Sequence, residues 1–265
     1  MERHRPGSAN PGSWCVRAIT LDLWQTLITE GQGWPGHARH HARVAGVRSE
    51  LASFGHPIAA ERVDAALLKV RSDFDSDHDR GLDISFGERV RHMLAYVSPE
   101  LPDQLDDRQF ASVLAAVDQP FLMHPPKPVK GARAVLVQLR NRGHAIALIS
   151  NTGFTSAAVY RTWLERLGWL AFFDVTSFSN DLAVAKPTRR IFETTLSAMG
   201  VAPAEALHVG DSGHHDVDGA HAAGLSTVWV RSGRQGEPRT PPDFVIDELV
   251  ELPGVVRQWR KARRD

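Results

Sequence analysis

Ala18-Ile19-Thr20-Leu21-Asp22-Leu23-Trp24-Gln25-Thr26-Leu27-Ile28 is the stretch whose reading decides the fold. An apolar run rich in β-branched residues stops abruptly at one carboxylate, Asp22. Near-continuous apolarity over residues 16–22 predicts a strand buried on both faces, as in a parallel sheet covered by helices. Ligands gather at the carboxyl ends of such strands, so Asp22 stands where a nucleophile or metal ligand is presented.

Outward from that strand, residues 23–36 carry Gln25, Thr26, Thr29, Gly31, Gly33, Pro35 and Gly36, and read as turn and linker. The texture then changes. Val44, Val47, Leu51 and Phe54 have helical spacing, as do Val63, Ala66, Leu67 and Val70. Phe86, Val90, Met93, Leu94 and Val97 mark a third helix, and Phe110, Val113, Leu114 and Val117 a fourth. A proline-stiffened linker, residues 124–130, follows. Beyond it strands and helices alternate, with strands at 145–149, 173–178, 207–210, 225–230 and 244–246. The pattern predicts an α/β fold: a doubly wound parallel sheet, interrupted after its first strand by an all-helical insert. Residues 1–14 are expected to be a disordered arm, 15–30 and 124–265 the α/β core, and 31–123 the helical insert.

The totals narrow the function classes. Formal net charge is zero, so nothing electrostatic points to nucleic acid or to an acidic membrane surface. The single cysteine, Cys15, fits a reducing compartment. The first fifteen residues lack a secretory apolar core, and no segment approaches the ~20 apolar residues of a membrane span. The expectation is a cytoplasmic protein, monomer or homodimer, acting on a small-molecule substrate.

Each of four strands delivers polar groups to one edge. The first ends at Asp22, the second at Ser150-Asn151-Thr152-Gly153. The third leads to Asn180-Asp181 and Lys186-Pro187, the fourth to Gly210-Asp211-Ser212-Gly213-His214-His215-Asp216. Carboxylates can hold a hard cation, a lysine and main-chain amides can neutralise developing charge, and one carboxylate can attack.

Asp22-x-x-x-Thr26-Leu27, Ser150-Asn151, Lys186-Pro187 and Gly210-Asp211-Ser212-x-x-x-Asp216, in that order, resemble the haloacid dehalogenase-like hydrolase superfamily from residue 16 to about 250. The resemblance implies a doubly wound core, the helical insert as a cap, and Mg²⁺-dependent phosphoryl transfer through an aspartyl-phosphate. It implies Asp22 as nucleophile, and Asp22, the Trp24 carbonyl, Asp211 and Asp216 around Mg²⁺. It further implies that Ser150 and the Asn151 amide bind phosphoryl oxygens, that Lys186 pairs with Asp22 and the phosphoryl group, and that Thr26 stabilises the turn.

One position departs from the pattern. Phosphatases of the superfamily usually carry an aspartate two residues after the nucleophile as general acid and base. Here it is Trp24, whose indole N–H cannot take that part. Three readings follow: a phosphatase for leaving groups that need no proton, a metal-independent 2-haloacid dehalogenase, or a feebly active binding protein. The retained Asp211 and Asp216 favour the phosphatase.

Other residues have plainer readings. His214-His215 is not expected to hold a metal jointly, because adjacent side chains diverge. His37, His40 and His41 form a polar stripe at helical spacing that could supply the missing acid–base group if it faced the site. Asp73, Asp75, Asp77 and Asp79 read as a charged loop. Arg39, Arg43 and Arg48 could reach a substrate anion from the insert.

Overall fold

In the computed structural model, which describes residues 18–30, 35–231 and 236–262, the first strand is β1, Ala18–Leu21, with all four residues buried. The expected N-terminal arm and Cys15 lie outside the described residues. After β1 the chain turns tightly: the N–H groups of Leu27 and Ile28 both donate to the Leu23 carbonyl at 2.9 Å. It then forms β2, Ile28–Thr29, and enters a helical block. The helices are α1 (Pro35–Ser53), α2 (Ala60–Asp79), α3 (Phe86–Val97), α4 (Leu101–Gln104), α5 (Asp107–Asp118) and α6 (Pro120–Met123). β3, Lys127–Pro128, pairs antiparallel with β2, so the two linkers of the block run side by side.

Local sequence explains the helix starts. Ser85 accepts from the Glu88 N–H while Glu88 takes the Ser85 N–H, and Asp106 and Gln109 do the same for α5. Such reciprocal caps satisfy amides that have no partner inside the helix. The aspartates 73 to 79 are not a loop but the last turns of α2. Helical spacing sets Lys69 beside Asp73 and Arg71 beside Asp75 as i,i+4 ion pairs, which support the helix.

The α/β part continues with α7 (Ala132–Asn141), β4 (Ala145–Ser150), α8 (Ala157–Arg166), β5 (Val175–Phe178), α9 (Ser179–Leu182), α10 (Arg189–Met199) and β6 (Ala206–Gly210). A π-helical turn, Gly213–Asp218, leads into α11 (Gly219–Ala222), β7 (Ser226–Val230), β8 (Phe244–Ile246) and α12 (Leu252–Ala262). The six main strands are all parallel, in the order β5-β4-β1-β6-β7-β8. This is a doubly wound sheet whose direction of winding reverses between β1 and β6.

Two hydrophobic clusters flank the sheet. One gathers Ile19, Leu21, Leu148 and Val209 with α7, α8 and α12; the other joins Ala18 and Ile149 to Ile191, Phe192 and Leu196 of α10. The helical block has its own cluster, from Val47 and Leu51 through Met93 and Leu94 to Val117, with Phe154 of the α/β part packed against it. No helix among the described residues is long and apolar enough to cross a membrane.

Candidate active site

The reversal between β1 and β6 opens a crevice at the carboxyl end of the sheet. Asp22 is the first residue past β1 and Asp211 the first past β6. The Asp22 N–H donates to the Val209 carbonyl at 2.9 Å, which fixes its Cα beside the neighbouring strand. Ser150 ends β4, and Lys186 lies on the loop between α9 and α10.

Lys186 is the centre of the cluster. Its Nζ donates to Asp22 Oδ1 at 2.5 Å, to Asp216 Oδ1 at 2.7 Å and to the Ile149 carbonyl at 3.0 Å. Asp22, Asp211 and Asp216 are all buried, and each offers an oxygen within 4.8 Å of the others. Asp216 Oδ2 accepts from the Ser212 N–H at 2.9 Å. Gly210 makes room for it: a Cβ there would stand 2.2 Å from Asp216 Cγ.

Three carboxylates against one ammonium leave two negative charges in excess when all are ionised. Burial pushes the Asp22 carboxyl up to about 7, against the pull of Lys186. Burial would raise Asp216 also, but Lys186 and His208 hold it well below the ordinary carboxylate range. For Lys186, burial favours the neutral amine, yet Asp216 and Asp22 outweigh it and keep the proton on. Uncompensated buried charge is costly, several kcal/mol per ion. An all-oxygen donor set with two surplus negative charges matches a hard divalent cation such as Mg²⁺.

The other expected site residues are placed as follows. Asn151 engages through its side chain: Nδ2 donates to the Lys186 carbonyl and Oδ1 accepts from the Lys186 N–H, both at 2.9 Å. Ser150 is fully buried, its hydroxyl 3.2 Å from the Asn151 carbonyl. It is no helix cap, since α8 starts at Ala157 behind Ser156. Thr26 is buried and its hydroxyl has no partner among the described residues; the turn around it is held by main-chain bonds to Leu23. Trp24 Nε1 donates to the Tyr160 hydroxyl at 3.0 Å, and its ring meets Phe121 edge-on.

One supporting pair was not foreseen. The β1–β6 register sets Thr20 beside His208, and Thr20 Oγ1 lies 2.8 Å from His208 Nδ1. His208 Nε2 is 3.2 Å from Asp216 Oδ1. A histidine inside the buried strand Ala206-Leu-His-Val-Gly210 is the signal that could have found it.

The helical block leans on this site. Ala185 N–H donates to the Gly81 carbonyl at 3.1 Å, as does the Thr188 hydroxyl. Arg89, buried in α3, donates to the Thr152 carbonyl at 2.6 Å and pairs with Asp83. Arg43 donates to the Val117 and Phe154 carbonyls at 2.8 and 3.1 Å. Arg39 bonds the His124 carbonyl and Glu30, and Arg48 the Ile58 carbonyl. These arginines thus tie main chain together. His40 bonds Asp64 of α2, inside the block, while His37 and His41 are exposed. His214 and His215, expected to diverge, both turn toward Asp79.

A family model described as haloacid dehalogenase-like hydrolase matches residues 16–224. A glyceraldehyde 3-phosphate phosphatase of Methanopyrus kandleri is 31% identical over 253 residues, 93% of this chain and 99% of that one. A phosphoserine phosphatase of Thermus thermophilus is 38% identical over 122 residues, 46% of this chain and 48% of that one. Among solved structures, a 2-haloacid dehalogenase from Pseudomonas syringae pv. tomato superposes with a TM-score of 0.63 at 22% identity, covering 92% of this chain and 99% of that chain. At that identity the likeness is one of fold.

Proposed function

Because the chain belongs to the haloacid dehalogenase-like hydrolases, we propose that it is a Mg²⁺-dependent phosphatase acting on a small phosphorylated metabolite. The observation that carries the reading is the buried trio of carboxylates gathered around Lys186, which when all are ionised leaves two negative charges in excess. A dehalogenase needs no metal and would have no use for Asp211 and Asp216 together. The phosphatase names of relatives matching up to 99% of their own length lend further support.

Asp22, the Trp24 carbonyl, Asp211 and Asp216 would hold the cation. Bound there, it would neutralise charge on the phosphoryl oxygens. An Asp22 oxygen would attack phosphorus; that O–P bond forms as the bond to the leaving oxygen breaks, its electron pair departing with the leaving group. Lys186, together with the bound cation, would favour the ionised form of Asp22 against the effect of burial, and Lys186 would then stabilise the equatorial oxygens with the Ser150 hydroxyl and the Asn151 amide. Water would then attack the phosphorus of the aspartyl-phosphate; the new O–P bond forms as the bond to the Asp22 oxygen breaks, its electron pair restoring the carboxylate, and the water's proton leaves with the inorganic phosphate. The α1–α6 block would act as the cap that excludes bulk water.

Trp24 bears on the substrate. Its one N–H is spent on Tyr160, so it has no proton for a leaving alkoxide. Acyl and aryl phosphates, whose leaving groups are stable as anions, fit this site better than alkyl phosphates. The test is release of inorganic phosphate from acetyl phosphate, p-nitrophenyl phosphate and glycerol phosphate, and of chloride from 2-chloropropionate, each with Mg²⁺ and with chelator. Phosphate release that chelator abolishes, stronger on the first two, supports the reading. Chloride release indifferent to chelator, or no phosphate release at all, overturns it.

A further inference from the structure

Besides the carboxylate trio, one other group of metal-ligating side chains converges among the described residues: Asp79, His214 and His215. They come from opposite sides of a boundary. Asp79 is the last residue of α2 in the helical block, and the histidines sit on the π-helical turn after β6. His215 Nε2 lies 3.1 Å from Asp79 Oδ1, and His214 Nε2 lies 3.2 Å from the Asp79 carbonyl oxygen.

Neighbours on an α-helix point about 100° apart, since 3.6 residues make a turn. The wider turn here brings the two imidazoles to 5.2 Å between centroids, inclined by 50°, and both face the same residue. One ligand atom from each of the three residues lies within 4.8 Å of the other two. Bonds of about 2.0–2.2 Å to a tetrahedral cation set its donors roughly 3.3–3.6 Å apart. Small side-chain rotations would bring the three ligands to that spacing. Two imidazole nitrogens and one carboxylate oxygen favour a borderline ion over Mg²⁺.

We infer that Asp79, His214 and His215 form a second cation site, for a borderline divalent ion such as Zn²⁺ or Co²⁺, which clasps the helical block to the α/β part. The site shares no residue with the carboxylate trio. It lies two residues from Gly81, whose carbonyl already holds the loop bearing Lys186 through Ala185 and Thr188. An ion there ties the end of α2 to the π-helical turn and reinforces that contact. The donor set leaves a fourth position for water.

The test uses the full chain in excess Mg²⁺, with ZnCl₂ added stepwise and the histidine imidazole ¹⁵N signals followed by NMR. One equivalent is expected to shift two imidazoles, those whose signals are missing from His214→Ala and His215→Ala. Zn²⁺ affinity, measured against a chromophoric chelator, is expected to fall about tenfold or more in each variant. Asp79→Asn is expected to weaken binding equally; its side chain is 67% exposed, so the change leaves packing untouched. Hydrogen exchange over residues 78–84 and 212–218 should slow with Zn²⁺ in the unaltered protein and not in Asp79→Asn. Shifts at other histidines, such as His40 or His41, or none at all, overturn the proposal. So does an affinity that Asp79→Asn leaves unchanged, which would mean that the histidines bind without bridging to α2.

Discussion

The Asn151 side-chain amide grips the main chain of Lys186 at both polar ends, its Nδ2 on the carbonyl and its Oδ1 on the N–H, each at 2.9 Å. This clasp joins the loop after β4 to the loop before α10 and sets where the ammonium projects. Two residues far apart in sequence therefore determine one charge position.

Asn151→Ala removes both bonds while leaving the main-chain amide in place. The loss of about 1–3 kcal/mol of positioning energy should lower kcat/KM on p-nitrophenyl phosphate about tenfold or more, mostly in kcat. Steady-state kinetics with a matched unfolding midpoint checks this. A rate within twofold of the unaltered protein would show that the clasp does not position Lys186.

Lys186→Met leaves Asp22 and Asp216 buried without their shared counter-charge. Breaking a buried ion pair from one side costs about 3–5 kcal/mol, so the metal-free variant should melt well below the unaltered protein. Mg²⁺ bound at the proposed site would stabilise the folded state by mass action, and it should raise the variant's midpoint more than the parent's, since the cation then supplies the missing charge. Scanning fluorimetry with Mg²⁺ and with chelator reads both. Equal Mg²⁺ shifts would count against the charge-balance argument.

Trp24→Asp restores a titratable group at the position where the indole now donates to Tyr160. Proton supply should raise turnover on glycerol phosphate at least tenfold, within the ~10²–10⁴ that general acid–base catalysis provides. Trp24→Asn, which loses the same packing against Phe121 but cannot donate an acidic proton, should show no such gain. Both variants should be less stable. Equal rates in the two would refute the proton-supply account.

His208 is buried, and burial holds its pKa below the ordinary histidine value of 6.5. The unfolded chain therefore takes up this proton first as pH falls. The stability held by neutral His208 is full above about 6.5 and declines as pH drops from there toward the folded-state value. In urea unfolding of the metal-free protein between pH 7.5 and 5, Asp22, raised to about 7, contributes the opposite slope, so the His208 contribution is read as a difference: the stability of the parent relative to His208→Gln should decline as pH falls. Parallel pH profiles for the two proteins would assign the slope to other groups.

Much of this fold was legible in the chain. The run Ala18–Leu21 ending at Asp22, and the later strands ending in polar groups, gave the parallel sheet and its carboxyl edge. The apolar spacings from Phe86 to Val97 and from Phe110 to Val117 likewise marked two helices of the block. The charged stretch 73–79 is helix rather than loop because Lys69 and Arg71 pair with Asp73 and Asp75 one turn on, and because Phe74 within it packs on the block's core and edge-on against Phe154.

The sequence by itself determined the layers of the molecule, the order of its strands along the chain and the residues at their ends. Periodicity and capping act over a few residues, and a lone carboxylate after a buried strand has few places to go. Only the tertiary structure decided which of those residues meet. Thr20 faces His208 because β1 and β6 pair in one register, not another. Asp79 meets His214 and His215 because the end of α2 rests on a π-helical turn 135 residues further along the chain. Such contacts arise from packing between distant segments, and no local pattern encodes the distance between them.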